Sequence, residues 1–166
     1  DLGGGIFPDE NPTSYNYETQ TFTLNNPTRE GYEFLGWSVE GIEGLSMDVT
    51  IPQGSTDNRK YTANWKATEY TIGYELNGGT VSPDNPTSYT IESDDFKLTN
   101  PTKDGYMFDG WTGTSVDVTE SKDVTILKGS TGNREYAANW TLNVYTISYD
   151  LDGGAVSSDN PTSYTV

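Results

Sequence analysis

The chain contains no cysteine and no histidine, and these two absences limit its chemistry. Without cysteine it can form neither a disulfide framework nor a thiolate nucleophile or metal ligand. Without histidine it lacks the commonest general base, the usual transition-metal ligand and the side chain that titrates near neutral pH. Any catalysis would therefore have to rely on carboxylates, hydroxyls and amines.

Basic residues and long apolar runs are also scarce. Nine Lys and Arg residues stand against 25 Asp and Glu, which gives a formal net charge of −16 and a pI near 4.1. A surface of this sign repels nucleic-acid phosphates and anionic membrane surfaces. No apolar run approaches the roughly 20 residues that a bilayer span needs, and the first residues do not resemble a signal peptide. We therefore expect no nucleic-acid partner and no membrane insertion, and we expect any export signal or anchor to lie outside these residues.

The five letters NPTSY occur three times, beginning at Asn11, Asn85 and Asn160. The spacings are 74 residues (85 − 11) and 75 residues (160 − 85), which is long enough for a small folded unit. Longer segments of the first two copies also match: FTLNNPTREGYEFLGW with FKLTNPTKDGYMFDGW, and DVTIPQGSTDNRKYTANW with DVTILKGSTGNREYAANW. The sequence therefore predicts a tandem array.

The matching segments divide the chain into units and short joints. The third copy begins with YTISYDLDGG, which matches YTIGYELNGG at the start of the second. The predicted organisation is a unit lacking its first strand at 1–65, a linker at 66–69, a complete unit at 70–140, a linker at 141–144 and the start of a third unit at 145–166. Four-residue joints without Gly or Pro are not long flexible tethers.

Apolar residues in the complete unit alternate with a period of two, as in strands with one buried face. Tyr70, Ile72, Tyr74 and Leu76 show this alternation, and the following Asn77-Gly78-Gly79 segment suits a turn. Similar short runs, each bounded by Pro, Gly, Asn or Asp, predict about six strands and no sustained helix. The predicted fold class is mainly β.

Trp111 breaks the alternation that Tyr106 and Phe108 begin, and it directly follows Gly110. A β-bulge at Gly110 would return the indole to the core face, and the first copy shows the same shift at Gly36-Trp37. A unit of this size has little apolar area and needs large buried side chains. The predicted structural core residues are Trp37, Trp65, Trp111, Trp140, Tyr106 and Phe108. Sugar-stacking platforms are the alternative for these indoles, and the 12 tyrosines leave glycan or protein contact open.

Acidic residues recur between the copies but form no distinctive pair. A glycosidase needs two acids about 5 to 10 Å apart across a cleft, and a unit this small offers little room for one. We therefore predict no enzymatic activity and no cofactor. Asp150, Asp152 and Asp159 do not follow the spacing of a calcium loop, since Asp152 aligns with Gly3 and Asn77. We predict no metal site and interpret these acids as solvated turn residues.

The motif order YTI.Y.LNGG, NPTSYT, F.L.NPT..GY.F.GW and GSTGNR.Y.ANW resembles the Listeria-Bacteroides repeat, the B-repeat of internalin-type surface proteins. The resemblance covers essentially the whole chain, and GY.F.GW together with ANW is its specific signature. It implies small β-grasp-like domains in an extended tandem array, which form a stalk or adhesive segment of an extracellular protein on a bacterial surface. The GSTGN block and the longer NPTSY segment depart from the internalin form, so no particular partner is implied.

The two ends of the sequence complement each other. The first unit lacks the strand that corresponds to Tyr70–Tyr74, and the third copy supplies that strand without a following unit. An open edge and a spare strand favour β-augmentation, which would give head-to-tail association with a fibre as one outcome. The simpler alternative is that the preceding repeat of a longer parent protein supplies this strand. The residues predicted to be donated are Tyr145, Ile147 and Tyr149. The partners expected are thus neighbouring repeats, further copies of the chain, and a host protein or glycan.

Overall fold

The computed structural model describes residues 1–116 and 121–165, and all regular elements in these residues are β-strands. The prediction of a mainly β chain is confirmed. The described part of the chain holds no helix of the length and apolarity that a bilayer span requires. The strands are β1 (Phe22–Thr23), β2 (Tyr32–Val39), β3 (Ile42–Ser46), β4 (Thr50–Ile51), β5 (Tyr61–Ala67), β6 (Tyr70–Glu75), β7 (Ser88–Tyr89), β8 (Phe96–Lys97), β9 (Tyr106–Gly113), β10 (Thr125–Ile126), β11 (Arg134–Leu142), β12 (Tyr145–Thr146) and β13 (Ser163–Tyr164).

The chain forms two compact units. Unit 1 consists of Asp1–Glu69, Thr90–Ser93 and Gly129–Thr131, and unit 2 consists of Tyr70–Tyr89, Asp94–Lys128 and Gly132–Val166. The strands extend into the predicted joints, because β5 continues to Ala67 and β11 continues to Leu142. Two residues then separate β5 from β6, and two separate β11 from β12.

Unit 2 contains a four-stranded mixed sheet in the order β7-β6-β11-β9. The central strands β6 and β11 are parallel, with Ile72 opposite Arg134 and Glu75 opposite Ala137, and both outer pairs are antiparallel. A separate antiparallel pair joins β8 to β10, and β12 pairs with β13. Since β6 alternates apolar and polar residues, one face of the sheet carries the core.

The core of unit 2 gathers residues from every part of the mixed sheet and from the β8–β10 pair. Trp111, Leu98 and Ile126 are its largest fully buried side chains. The cluster of buried residues is Ile72, Tyr89, Leu98, Trp111, Val124, Ile126, Tyr136 and Ala138. The alternating apolar positions predicted from the sequence thus meet on one side of the sheet.

Unit 1 contains a three-stranded sheet in the order β3-β2-β5 and an antiparallel β1–β4 pair. Its smaller core contains Trp37, Val49 and Ala63. On the side of β5 away from β2, Asp1 supplies the backbone pairing seen among the described residues: its ammonium donates to Tyr61 O (2.8 Å) and its carbonyl accepts from Ala63 N (2.9 Å). The described residues of unit 1 therefore include no counterpart of β6.

Both predicted bulges are present. In β9 the register against β11 shifts so that Gly110 pairs with Asn139 and Phe108 with Trp140, which leaves the intervening residue extra. In β2 the equivalent shift falls between Phe34 and Gly36. Gly110 has φ 153° and Gly36 has φ 127°, values that residues with a side chain rarely adopt. The bulge turns the following indole toward the core, which confirms the local prediction.

Candidate functional site

Trp111 lies at the centre of unit 2 with 0% of its surface exposed. Its ring centroid is 5.4 Å from that of Phe108 and 5.7 Å from that of Tyr74. Its indole Nε1 has no hydrogen-bond partner among the residues that the structure describes. Burial raises the pKa of Tyr74 to about 12, and Tyr136 adds to this shift. The surroundings of Trp111 are therefore dry and aromatic, as in a structural core rather than a ligand site.

The other predicted core residues differ in depth. Trp37 is 3% exposed, and its Nε1 donates to Asn26 Oδ1 at 3.0 Å. Trp65 and Trp140 are half-buried, and each donates its Nε1 to a backbone carbonyl, of Leu2 and Leu76 respectively. Phe108 is half-buried against the core of unit 2. Tyr106 is half-buried but is not among the residues of that core, and Lys103 Nζ lies 4.0 Å from the centroid of its ring.

The Asn of the NPTSY motif connects two loops of each unit by hydrogen bonds. Asn85 Nδ2 donates to Thr99 O (2.9 Å) and its Oδ1 accepts from Thr99 N (2.7 Å). In unit 1, Asn11 makes the same two bonds with Asn25, at 3.0 and 2.7 Å. Each Asn thus connects two loops 14 residues apart, which accounts for the recurrence of this residue.

The Tyr of the same phrase is a second anchor, which sequence reasoning missed. Tyr89 Oη donates to Gly132 O (2.6 Å) and accepts from Arg134 Nε (3.0 Å). In unit 1, Tyr15 Oη donates to the carbonyl of Asp57, the residue equivalent to Gly132, and accepts from Arg59 Nε (3.1 Å). The signal was present, because both Tyr and Arg recur at equivalent positions in NPTSY and in the GST..NR block.

Unit 1 has an open cleft where unit 2 has β6. We call it the β5 cleft. It consists of a polar part of about 610 Å³, between residues 13–17 and 55–59, and a more apolar part of about 240 Å³. Thr13 lines both parts, so they adjoin. The apolar part is lined by Asp1, Leu2, Phe7, Asn11, Pro12, Thr13, Leu24, Trp37 and Tyr61.

The residues predicted to be donated lie in a small hairpin of unit 2. Tyr145 is in β12, which pairs with β13, and Ile147 N donates to Thr162 O at 2.9 Å. Tyr145 and Tyr149 are 37% and 41% exposed, and Ile147 is half-buried. Among the described residues, β12 pairs with a strand on one side only.

The acidic turn residues make local hydrogen bonds. Asp152 N donates to Asp150 Oδ1 at 3.3 Å, and Asp159 N donates to Ser157 Oγ at 3.2 Å. The three acids Asp150, Asp152 and Asp159 are exposed. Within residues 1–116 and 121–165 no group of three or more acidic side chains is placed to hold a metal ion.

Exposed aromatic residues do not recur at equivalent positions of the first two copies. Tyr17 is 70% exposed and Phe7 is 37% exposed, but the second copy has Ile91 and Val81 in these places. None of the four tryptophans belongs to the exposed residues. A shared aromatic patch is therefore not a property of the repeat.

Comparison with known proteins gives one family. Residues 1–65 and 70–138 match the Listeria-Bacteroides repeat domain. The two matched segments coincide with the two copies that the repeat pattern defines, and each ends within a few residues of the ANW motif. No solved structure matches the chain.

Three similar proteins come from two bacterial species. Two proteins of Evansella cellulosilytica, one named as a Gly-rich membrane protein and the other as a membrane protein, are each 30% identical over 138 residues, or 83% of this chain. Internalin H of Listeria monocytogenes is 29% identical over 85 residues, or 51% of this chain. The matches cover 15%, 20% and 15% of those proteins, so the chain spans a fifth of their length or less.

Proposed function

This chain belongs to the Listeria-Bacteroides repeat domain family, and from that membership we propose that it is a structural stalk or adhesive repeat segment of a bacterial cell-surface or secreted protein. The observation that carries the proposal is the structural role of the residues that recur in both repeats. Trp37 and Trp111 are buried in their own units, and the Asn and Tyr anchors hold loops together in both. Residues shared by the repeats thus serve the fold, as expected of a structural segment.

An extracellular position is part of the same proposal. The relatives are named as membrane proteins and as an internalin, which supports association with the cell surface. We further propose that the segment has no enzymatic activity, and that its partners are neighbouring repeats, further copies of the chain, and a host protein or glycan. The high negative charge supports the omission of nucleic acid from this set.

We also propose that the units are β-grasp-like and follow one another in an extended array. The parallel pairing of β6 with β11, the first and last strands of the complete copy, supports a β-grasp-like arrangement. The joints of two residues support limited bending between units, because so short a connection has little reach.

Binding of a glycan or protein through exposed aromatic residues is the second candidate function. It is favoured by Tyr17, which lines the polar part of the β5 cleft and is 70% exposed. The lack of an equivalent tyrosine in the second copy places this candidate behind the structural one. Glycan binding that disappears in Tyr17→Ala, with thermal unfolding unchanged, would favour it instead.

Small-angle scattering of the chain at low concentration tests the stalk. A single compact globule of this length would have a radius of gyration of about 15 Å, whereas two units of about 11 Å placed end to end give about 18 Å or more. We expect the larger value and an elongated distance distribution. A matched control, with Gly and Ser residues inserted between Ala67 and Tyr70, should broaden that distribution. A compact profile for the unaltered chain would refute the stalk.

A further inference from the structure

The Asn of the ANW motif lies opposite the glycine of the bulge in both units. Asn139 pairs with Gly110 across β11 and β9. Asn64 pairs with Gly36 across β5 and β2. The preceding residue of β11, Ala138, is fully buried, and successive residues of a strand point to opposite faces. The asparagine side chain therefore lies on the face of the sheet away from the core, behind the bulge.

In unit 2 the side-chain amide of Asn139 meets three acceptors. Its Nδ2 donates to Gly110 O and to Thr112 Oγ1, both at 3.1 Å. A third acceptor, Ala137 O on the same strand, lies 3.3 Å away. A bulge disrupts the ladder locally, and backbone carbonyls near such a place need other donors. The amide thus connects the bulge glycine of β9 to β11.

Unit 1 repeats this arrangement with different neighbours. Asn64 Nδ2 donates to Gly36 O at 3.1 Å and to Ser38 Oγ at 3.0 Å. Thr62 O lies 3.0 Å from the same nitrogen. Each amide therefore meets the carbonyl of the bulge glycine, a hydroxyl two residues after that glycine, and a carbonyl of its own strand. The asparagine and the glycine are identical in the two units, whereas the other two positions differ.

Asparagine suits this position because of the number of its donors. A side-chain amide has two N–H donors on one nitrogen, whereas a Ser hydroxyl has one and an ionised Asp has none. Gln has the same amide on a longer side chain. The spacing of the two motifs has a physical reason as well, because the bulge glycine of GY.F.GW and the Asn of ANW are hydrogen-bonded partners 28 residues apart in unit 1 and 29 apart in unit 2.

We propose that Asn139 is a positioning residue that fixes the bulge of β9 and thereby keeps Trp111 in the core, and that Asn64 has this role in unit 1. Without the extra residue of the bulge, the pairing of β9 with β11 slips by one position on one side, and the side chains there change faces. The Nδ2 contacts extend across the bulge, so they favour the bulged register. This role does not depend on the stalk function.

Hydrogen exchange measured by NMR on Asn139→Ala tests the proposal. Loss of the amide bonds should raise the unfolding equilibrium constant of unit 2 by about tenfold or more. Thr141→Val is the matched control, because Thr141 Oγ1 also bonds across to β9, but to a side chain, Asp109 Oδ2, at 2.7 Å. Since that bond is exposed, its loss should raise the constant by about threefold or less.

Two reporters separate positioning from general stabilisation. Ile72 N donates to Thr87 O within unit 2, and its amide reports unfolding of the whole unit, as expected of a buried central strand. The indole Nε1–H of Trp111 reports opening around the bulge. If Asn139 only stabilised the unit, Asn139→Ala would raise both exchange rates by the same factor. As a positioning residue, it should raise the rate at Trp111 at least about threefold more than the rate at Ile72.

Two results would overturn the proposal: equal destabilisation by Asn139→Ala and Thr141→Val, or an equal rise of the two exchange rates. If Asn139→Ala leaves unit 2 unfolded, Asn139→Ser, which keeps one donor, replaces it in both comparisons. In unit 1, Asn64→Ala should destabilise that unit and leave unit 2 unchanged, and an unaffected unit 1 would contradict the proposal. A compact scattering profile of the unaltered chain would refute the stalk and leave this inference intact.

Discussion

Replacing Trp111 by Ala should strongly destabilise unit 2 and leave unit 1 folded. The side chain is fully buried and its ring contacts Tyr74, Phe108 and Tyr136. Truncation of a buried Trp to Ala costs about 3 to 5 kcal/mol, because the surrounding groups relax only partly into the space that it leaves. A unit of about 70 residues is stable by only about 4 to 10 kcal/mol. The loss therefore removes a third of the stability of unit 2 at the least and more than all of it at the most.

Backbone NMR and thermal unfolding together measure this effect unit by unit. We expect resonances of unit 2 to collapse or to melt at least 10 °C lower, since about 1 kcal/mol shifts the melting temperature of so small a domain by about 4 to 8 °C. Resonances of unit 1 should persist. A Trp111→Ala protein whose unit 2 melts within a few degrees of the original would refute a core role and would favour a surface role.

The matched change to Phe separates packing from hydrogen bonding. Trp37 and Trp111 occupy equivalent positions, but only Trp37 has an Nε1 partner among the described residues, the Oδ1 of Asn26. Trp37→Phe loses that bond, whereas Trp111→Phe removes a buried donor that is not satisfied within the described structure. We expect Trp37→Phe to be the more destabilising by about 1 kcal/mol. The opposite order, measured by denaturant unfolding of each unit, would contradict this account.

Two further predictions concern unit 2. A Cβ on Gly79 would collide with Trp140 Cζ2, so Gly79→Ala should cost about 1 to 3 kcal/mol in denaturant unfolding. Gly154→Ala, the same change in the third copy, should cost less, and equal costs would show that the indole is not the obstacle. Burial raises the pKa of Tyr74 to about 12 from 10.0, so its neutral phenol contributes stability that is complete below pH 10 and is lost as the pH rises through about 12. Melting temperatures of unit 2 should therefore fall more steeply above pH 10 than in Tyr74→Phe, and parallel curves would contradict this.

Local features of the fold could be predicted because their causes are local. The bulges at Gly36 and Gly110 follow from two facts within a few residues, a break in the alternation and a glycine at the break. The strands follow from the same period-two pattern. The pairing of β6 with β11 could not be predicted, because alternation identifies the buried face of a strand but not its neighbour some 60 residues away along the chain.

The sequence predicted which large aromatic side chains the repeats share but not how deeply each one is buried. Repetition identified Trp65 and Trp140 as large shared side chains, yet both are half-buried, and their Nε1 groups donate to the carbonyls of Leu2 and Leu76. Strand β3 was not predicted either. It forms in the loop where the two copies differ, and a single chain offers no second example of such a segment.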